Sequence, residues 1–109
     1  MNRYLEKFLS YLEIEKNYSK YTLINYTVDL VEFFAFIKEV PIEKVDYLTL
    51  RRYLAQLRDK NHKPRTIARK LSSLRSLLRF LTREGYIKTN PSTLLTTPKL
   101  DKKLPQFLS

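Results

Sequence analysis

Glycine is almost absent from this chain, in which Gly85 is the only glycine among 109 residues. Five prolines punctuate the rest of the sequence, namely Pro41, Pro64, Pro91, Pro98 and Pro105. Between these residues the apolar side chains recur at intervals of three and four, and no stretch shows sustained alternation of apolar and polar residues. The sequence therefore predicts an all-α protein. Its length and its 43% hydrophobic content suit one small domain with a single core.

The apolar spacing divides the chain into four main helices. They are predicted from Asn2 to about Lys16, from Ser19 to about Glu39, from about Asp46 to about Lys60, and from Pro64 to a stop at Gly85. Asn2 and Ser19 suit N-caps, Pro64 suits a first helical turn, and Gly85 suits a C-cap. A short fifth helix through Leu95 is expected next. The domain is therefore predicted over residues 1–97, with a basic, proline-marked linker tail over 98–109.

The charge balance points to a polyanionic partner. Lys and Arg number 21 against 11 Asp and Glu, which leaves a formal net charge of +10. Nucleic acid and an anionic membrane surface both suit such a chain. No apolar run approaches the roughly 20 residues that span a bilayer, and the N-terminal pattern contains acids, unlike a signal peptide. A cytoplasmic protein is expected. The absence of cysteine excludes disulfides and thiol catalysis.

The fourth helix concentrates the positive charge. The stretch "KPRTIARKLSSLRSLLRFLTREG" holds seven Lys or Arg before its first acid, Glu84. At about 100° per residue, one stripe that suits the core contains Ile67, Leu71, Leu74, Leu78 and Leu81. Arg65, Arg69 and the serines are predicted to face outward. An outer face of this kind is often merely solvated, but such faces normally mix both signs of charge, and Lys60 to Arg83 contains no acid.

This combination favours nucleic acid over a membrane. Small hydroxyl residues let a helix approach a groove, and Arg reaches phosphates or the acceptor edge of guanine. Membrane binding would need the leucine stripe, which a one-domain protein requires for its core. We therefore expect duplex DNA as the partner and no membrane contact.

A second candidate contact lies at the start of the second helix. Ser19, Lys20 and Thr22 stand at a helix N-terminus, which favours phosphate, and Asn25 can bind adenine bidentately. Capping by Ser19 and a solvated polar face at Thr22 and Asn25 are the simpler alternatives. The predicted DNA-binding residues of the two helices are Ser19, Lys20, Thr22, Asn25, Arg65, Thr66, Arg69, Lys70 and Ser73.

The sequence offers no catalytic constellation. His62 is the only histidine and lies in the hydrophilic stretch "DKNHKP". No acidic pair joins it in a metal-ligand pattern, no glycine-rich phosphate loop is present, and the tyrosines lie mostly at core spacing or at helix ends. We expect no catalytic residue, cofactor, metal or small-molecule ligand in this chain.

The order of the segments resembles the N-terminal core-binding domain of tyrosine recombinases, especially Xer-type enzymes and phage integrases. The resemblance covers essentially the whole chain and is most specific in "YSKYTLINY", "RTIARKLSSLRSLLRFL" with Gly85, "NPS" and "LPQFLS". It implies a four-helix SAM-like orthogonal bundle that forms half of a C-shaped clamp around duplex DNA. By position, the residues facing the major groove would be Thr22, Asn25, Arg65, Arg69 and Ser73.

The resemblance also implies what this chain lacks. In the family, a tyrosine in a separate catalytic domain forms a 3'-phosphotyrosyl bond with DNA, and that domain would begin just after Ser109. His62 and Arg65 spell H-x-x-R, a catalytic motif of the family, but they precede the binding helix, so the match is interpreted as chance.

The whole protein would therefore perform DNA recombination, such as chromosome dimer resolution linked to chromosome partition and cell division, or DNA integration. It would act as a tetramer of recombinase protomers on DNA. Two alternatives stay open: a stand-alone helical DNA-binding regulator, and a helical protein-interaction module whose charge serves solubility. The tail ending in "LPQFLS" favours a truncated enzyme over a regulator.

Overall fold

The computed structural model describes residues 2–93 and 95, which form four α-helices. Helix α1 spans Arg3–Ile14, α2 spans Lys20–Ile37, α3 spans Tyr47–Asp59 and α4 spans Pro64–Arg83. A 3-10 turn at Ile42–Lys44, which was not predicted, joins α2 to α3. No strand occurs in these residues, so the all-α prediction is confirmed, with helix ends close to those expected.

Short polar side chains cap three of the helices, and two of these caps, Asn2 and Ser19, were predicted. The Asn2 Oδ1 atom accepts hydrogen bonds from the Tyr4 and Leu5 amides at 2.7 and 3.3 Å. Ser19 caps α2, and Asp46 caps α3 by accepting from the amide of Thr49 at 2.9 Å. These bonds satisfy amides that have no partner inside the helix. The caps therefore explain where the chain turns into each helix.

The end of α4 depends on its glycine. Gly85 has a φ of +85°, in the left-handed region that favours glycine. The amide of Tyr86 then reaches back to the carbonyl of Leu81 at 2.9 Å, and that of Gly85 to the carbonyl of Thr82 at 3.1 Å. This is the bonding pattern of a glycine C-cap, so the predicted stop is confirmed.

The predicted short fifth helix does not form in residues 91–93, which adopt a turn. The Asn90 Oδ1 atom accepts from the amide and the hydroxyl of Ser92 at 2.9 and 2.7 Å. Side-chain bonds of this kind compete with helical hydrogen bonding. The rest of that predicted helix, apart from Leu95, and the predicted 98–109 linker lie outside the described residues.

Helices α2 and α4 each pack against all three other helices of the bundle. The apolar stripe of α4 supplies much of the core. The whole predicted stripe is buried, and its four leucines are fully buried. Phe8 of α1, Phe33 of α2 and Tyr53 of α3 supply the largest side chains around it. Because α4 is covered on several sides, its buried surface is wider than one stripe.

Helix α2 also carries apolar side chains on its solvent face. Tyr21, Ile24, Val28 and Val31 are between 47% and 75% exposed, at intervals of three and four residues. They lie on the side of α2 away from the buried Leu30. None of the described helices combines the length and the apolar character required to cross a bilayer.

Candidate nucleic-acid interface

A shallow groove of about 270 Å³ lies between α2 and α4. Four of the predicted DNA-binding residues line it, two from each helix: Thr22 and Asn25 from α2, and Arg69 and Ser73 from α4. These pairs are separated by more than 40 positions in sequence, so the fold brings the two predicted segments to one surface.

The start of α2 presents polar groups beside this groove. The Ser19 hydroxyl accepts from the Thr22 amide at 3.2 Å and lies 3.1 Å from the Thr22 hydroxyl. Ser19, Lys20 and Asn25 are exposed, whereas Thr22 is half-buried. The Ser19 cap is thus confirmed, and its hydroxyl is already engaged by its own helix. The Lys20 ammonium and the Asn25 amide remain accessible to a ligand.

Asp29 forms the floor of the interface between α2 and α4. Its side chain is 1% exposed and receives bonds from three residues of α4. Arg69 donates from Nε and Nη2 at 3.2 and 2.8 Å, Lys70 from Nζ at 3.3 Å and the Ser73 hydroxyl at 2.9 Å. A buried carboxylate is stable only when it is compensated in this way. The acids missing from α4 are therefore supplied by α2.

Two of the predicted site residues face this floor instead of the solvent. Lys70 is 7% exposed and Ser73 is 6% exposed, because α2 covers this side of α4. The Nζ atom of Lys70 also lies 2.6 Å from Oε1 of Glu32. The expected outward orientation is thus wrong for Ser73. The charge of Lys70 is paired with Asp29 and Glu32 inside the protein. Thr66 is half-buried, while Arg65 is exposed.

Sequence reasoning missed Asp29, although a signal was present. Asp29 lies three positions after Tyr26 and four before Phe33, on the face of α2 whose apolar side chains pack into the core. A charged residue within a buried stripe requires a partner on the neighbouring helix. Arg69 and Lys70, two of the cations that make α4 look so basic, are that partner.

The other arginines of α4 have different environments. Arg65 and Arg79 are exposed and form no ion pair with the described residues. Arg75 donates to the carbonyl of Leu95 and so fastens the chain that follows α4. Arg83 donates to the Tyr11 hydroxyl at 3.2 Å. The arginines of α4 that are exposed and hold no ion pair with the described residues are therefore Arg65 and Arg79, and Arg69 keeps an exposed outer edge.

Behind Asp29 lies the buried phenol of Tyr53. Burial raises its pKa above the ordinary 10.0, and the nearby carboxylates of Glu32 and Asp29 act in the same direction. Its hydroxyl has no hydrogen-bond partner among the described residues. This tyrosine remains protonated at neutral pH and is enclosed in the core, so it has no access to a DNA phosphate.

The sequence matches the family described as phage integrase, N-terminal SAM-like domain, over residues 5–85. The chain belongs to this family. It is 47% identical to the tyrosine recombinase XerC of Natranaerobius thermophilus, across 100% of this chain and 38% of that protein. The tyrosine recombinase XerC of Chlorobaculum parvum is 42% identical, across 98% and 34%. That of Bacillus subtilis is 40% identical, across 99% and 36%. No solved structure matches the chain.

This integrase SAM-like domain therefore corresponds to about a third of the length of the curated relatives it matches. The predicted family and helical-bundle fold are both confirmed. Within residues 2–93 and 95, no cluster of three or more His, Asp or Glu side chains could hold a metal ion. His62 is half-buried in the α3–α4 connection, and its H-x-x-R partner Arg65 is exposed in the first turn of α4.

Proposed function

We propose that this integrase SAM-like domain binds duplex DNA through the face that α2 and α4 share. The observation that carries the proposal is the α2–α4 groove, where Thr22 and Asn25 lie opposite Arg69. A second groove between α1, α2 and α4 adjoins it, because Tyr26 lines both, and this second groove is lined by Lys16 and Arg79. The polar side chains of the first groove and the cationic side chains of the second thus lie along one continuous surface.

The chemistry of this surface suits a duplex. Arg and Lys neutralise phosphates and release counterions, which is the main sequence-independent source of affinity. Asn can bind adenine bidentately, and Arg can bind the two acceptors of guanine. In our proposal Lys20, Arg65 and Arg79 contact phosphates, while Thr22, Asn25 and Arg69 approach the base edges.

The remaining predicted residues support this surface from its edges and from below. Ser19 is the N-cap of α2 and Thr66 stands in the first turn of α4, and backbone amides at such helix N-termini favour phosphate. Lys70 and Ser73 contribute through Asp29, since both are buried against it. Their proposed role is to hold the two helices in register.

The relatives extend the proposal to the whole protein. Because they are named tyrosine recombinases, we infer that the complete protein breaks and rejoins DNA strands, with its catalytic residues outside residues 1–109. We further propose that the complete protein acts in the cytoplasm with other recombinase protomers, and that this domain forms one half of its clamp around duplex DNA. Chromosome dimer resolution before cell division is the proposed use, and integration is the alternative.

The proposed DNA binding can be tested with a labelled mixed-sequence duplex and fluorescence anisotropy. We expect affinity to fall linearly with the logarithm of the salt concentration, because each phosphate contact releases counterions. Weak binding that does not depend on salt would contradict the proposal. The isolated chain should also leave a nicked suicide substrate uncleaved, whereas strand cleavage would place catalytic residues inside it.

A protein contact is the second candidate function, and the exposed stripe of α2 favours it. Tyr21, Ile24, Val28 and Val31 follow the three- and four-residue spacing by which helices pair. A second copy of this chain is the occupant to test, because its own stripe offers the same apolar spacing. The +10 charge of each copy opposes pairing, so self-association should increase with salt.

Gel filtration without DNA separates the two candidates. A monomer at both low and high salt would leave DNA binding as the function. A salt-promoted dimer that Val28→Glu abolishes would assign the stripe to self-association. Duplex binding by the Val28→Glu variant would then show whether the two functions use separate surfaces.

A further inference from the structure

We propose that Asp29 is a positioning residue, which holds the guanidinium of Arg69 in a fixed orientation toward DNA. The inference rests on the proposed function, because the ligand of Arg69 is the duplex. It concerns a residue whose own side chain is enclosed and touches no DNA: the Asp29 side chain is 1% exposed, while that of Arg69 is 53% exposed.

The geometry of the pair divides the guanidinium into two edges. Asp29 Oδ2 accepts from Nε of Arg69 at 3.2 Å, and Asp29 Oδ1 accepts from Nη2 at 2.8 Å. A guanidinium has five N–H donors in one plane, so this bidentate pairing uses the Nε edge. Both hydrogens of Nη1 and one of Nη2 remain. One hydrogen from each of these nitrogens points outward along the end of the guanidinium, and this pair is a fork that can bind phosphate or guanine bidentately.

The carboxylate itself is held from the other side. Lys70 Nζ and the Ser73 hydroxyl donate to Asp29 at 3.3 and 2.9 Å. Asp29 therefore cannot turn away without losing two further bonds, and the orientation of Arg69 follows from that of Asp29. The interaction joins α2 to α4, so it also fixes Arg69 relative to Thr22 and Asn25 in the same groove.

A long flexible side chain normally loses rotamer freedom when it binds. Pre-ordering one such side chain is worth a factor of about 2 to 12 in affinity. Asp29 has an opposing effect, since its negative charge weakens the attraction of phosphates. Removing the Asp29 carboxylate therefore has two separable effects on affinity for DNA. The loss of a fixed Arg69 orientation should lower affinity, whereas the gain of net positive charge should raise it.

Asp29→Asn and Glu32→Gln provide a matched pair of variants. Each removes one carboxylate of α2 that pairs with Lys70, and each raises the net charge by one. Glu32 forms no bond with Arg69 in the described structure. Thermal unfolding of both variants, monitored by circular dichroism, gives the temperature range in which each is folded, and binding is compared within it.

The first measurement needs no DNA. In ¹⁵N NMR spectra, the Arg69 Nε–H signal should be protected from solvent exchange in the native chain and in Glu32→Gln. Asp29→Asn should lose that protection. A rapidly exchanging Arg69 signal in the native chain would overturn the positioning role, whatever the chain binds.

The second measurement is affinity for the mixed-sequence duplex. Asp29→Asn should weaken binding by a factor of about 2 to 12, whereas Glu32→Gln should equal or exceed the native affinity. In an Arg69→Ala background, Asn at position 29 should no longer weaken binding. Equal weakening with and without Arg69 would overturn the inference. A native chain that binds no duplex would refute the proposed function instead, and the NMR result would still decide whether Asp29 orders Arg69.

Discussion

The guanidinium of Arg83, at the end of α4, lies 4.7 Å from the centre of the Tyr11 ring of α1 and donates to the Tyr11 hydroxyl at 3.2 Å. The same guanidinium lies 5.8 Å from the ring of Phe80. A cation over an aromatic face is attracted by the ring quadrupole. This arginine therefore connects α1 to the last turn of α4, away from the Arg69 groove.

Arg83→Ala should lower the midpoint of urea unfolding, because it removes the cation–π contact and the hydrogen bond to Tyr11 together with the 3.5 Å ion pair to Glu84. Tyr11→Phe retains the ring and should lower the midpoint less. Arg79→Ala is the matched control, since Arg79 is an exposed arginine of the same helix that forms no ion pair with the described residues. A midpoint for Arg83→Ala equal to that for Arg79→Ala would show that the contact contributes nothing.

Because Asp46 caps α3 as a carboxylate, the free energy of unfolding should fall when the pH is lowered into the acid range. Hydrogen bonds from the amide and hydroxyl of Thr49 hold the pKa of Asp46 below its ordinary 3.8. A folded-state pKa that is lowered stabilises the protein above the unfolded-state value, and the contribution is lost as the pH falls through the folded-state value. Asp46→Asn keeps a capping oxygen but does not titrate. Thermal midpoints of the two proteins should therefore converge as the pH falls below 3.8, and a constant difference would contradict this account.

Tyr53→Phe should maintain or raise stability. The native hydroxyl is buried without a hydrogen-bond partner among the described residues, so its removal loses no bond and avoids a desolvation penalty. Because burial raises the pKa of Tyr53, the unfolded chain ionises first as the pH rises above the ordinary value of 10.0, so the native chain loses stability there and Tyr53→Phe does not. Urea unfolding at neutral and alkaline pH tests this prediction. Clear destabilisation by Tyr53→Phe at neutral pH would reveal a partner for the hydroxyl.

Local signals explain why the helices could be predicted from the sequence. Asn2, Ser19 and Asp46 bond to amides two or three positions ahead, and Gly85 acts within its own turn. Such interactions depend on neighbours in sequence and need no knowledge of the tertiary fold. The buried leucines of α4 followed from helical periodicity in the same way.

The interior of the interface could not be predicted in this manner. Ser73 lies roughly 120° around the helix from Ile67, outside a single apolar stripe, yet it is buried because α2 covers that flank. The bonds of Arg69 and Ser73 to Asp29 span 40 and 44 positions. A helical wheel of α4 shows neither that α2 covers this flank nor that Asp29 of α2 is the partner of these residues. Polar residues beside a buried stripe therefore require the tertiary structure before they are assigned to a ligand.

Gly85→Ala should destabilise the fold through backbone strain alone. A side chain at this position would meet no heavy atom within 4 Å, but the φ of +85° is one that non-glycine residues rarely adopt. The left-handed conformation costs an L-residue about 1–2 kcal/mol. Gly85→Asn should cost less, because Asn tolerates this region better. Chemical denaturation of both variants checks the order, and equal stability of Gly85→Ala and the native chain would contradict the strain.

Arg65→Ala should weaken duplex binding through charge, with little change in fold. Arg65 is exposed in the first turn of α4 and has no ion pair among the described residues, so its whole charge is available to a phosphate. Loss of one phosphate contact should reduce the slope of log affinity against log salt by about 0.9. Lys44→Ala is the charge-matched control, since Lys44 is an exposed cation in the 3-10 turn beyond α2. If both variants reduced the slope equally, the net charge of the chain, and not the α2–α4 face, would determine DNA binding.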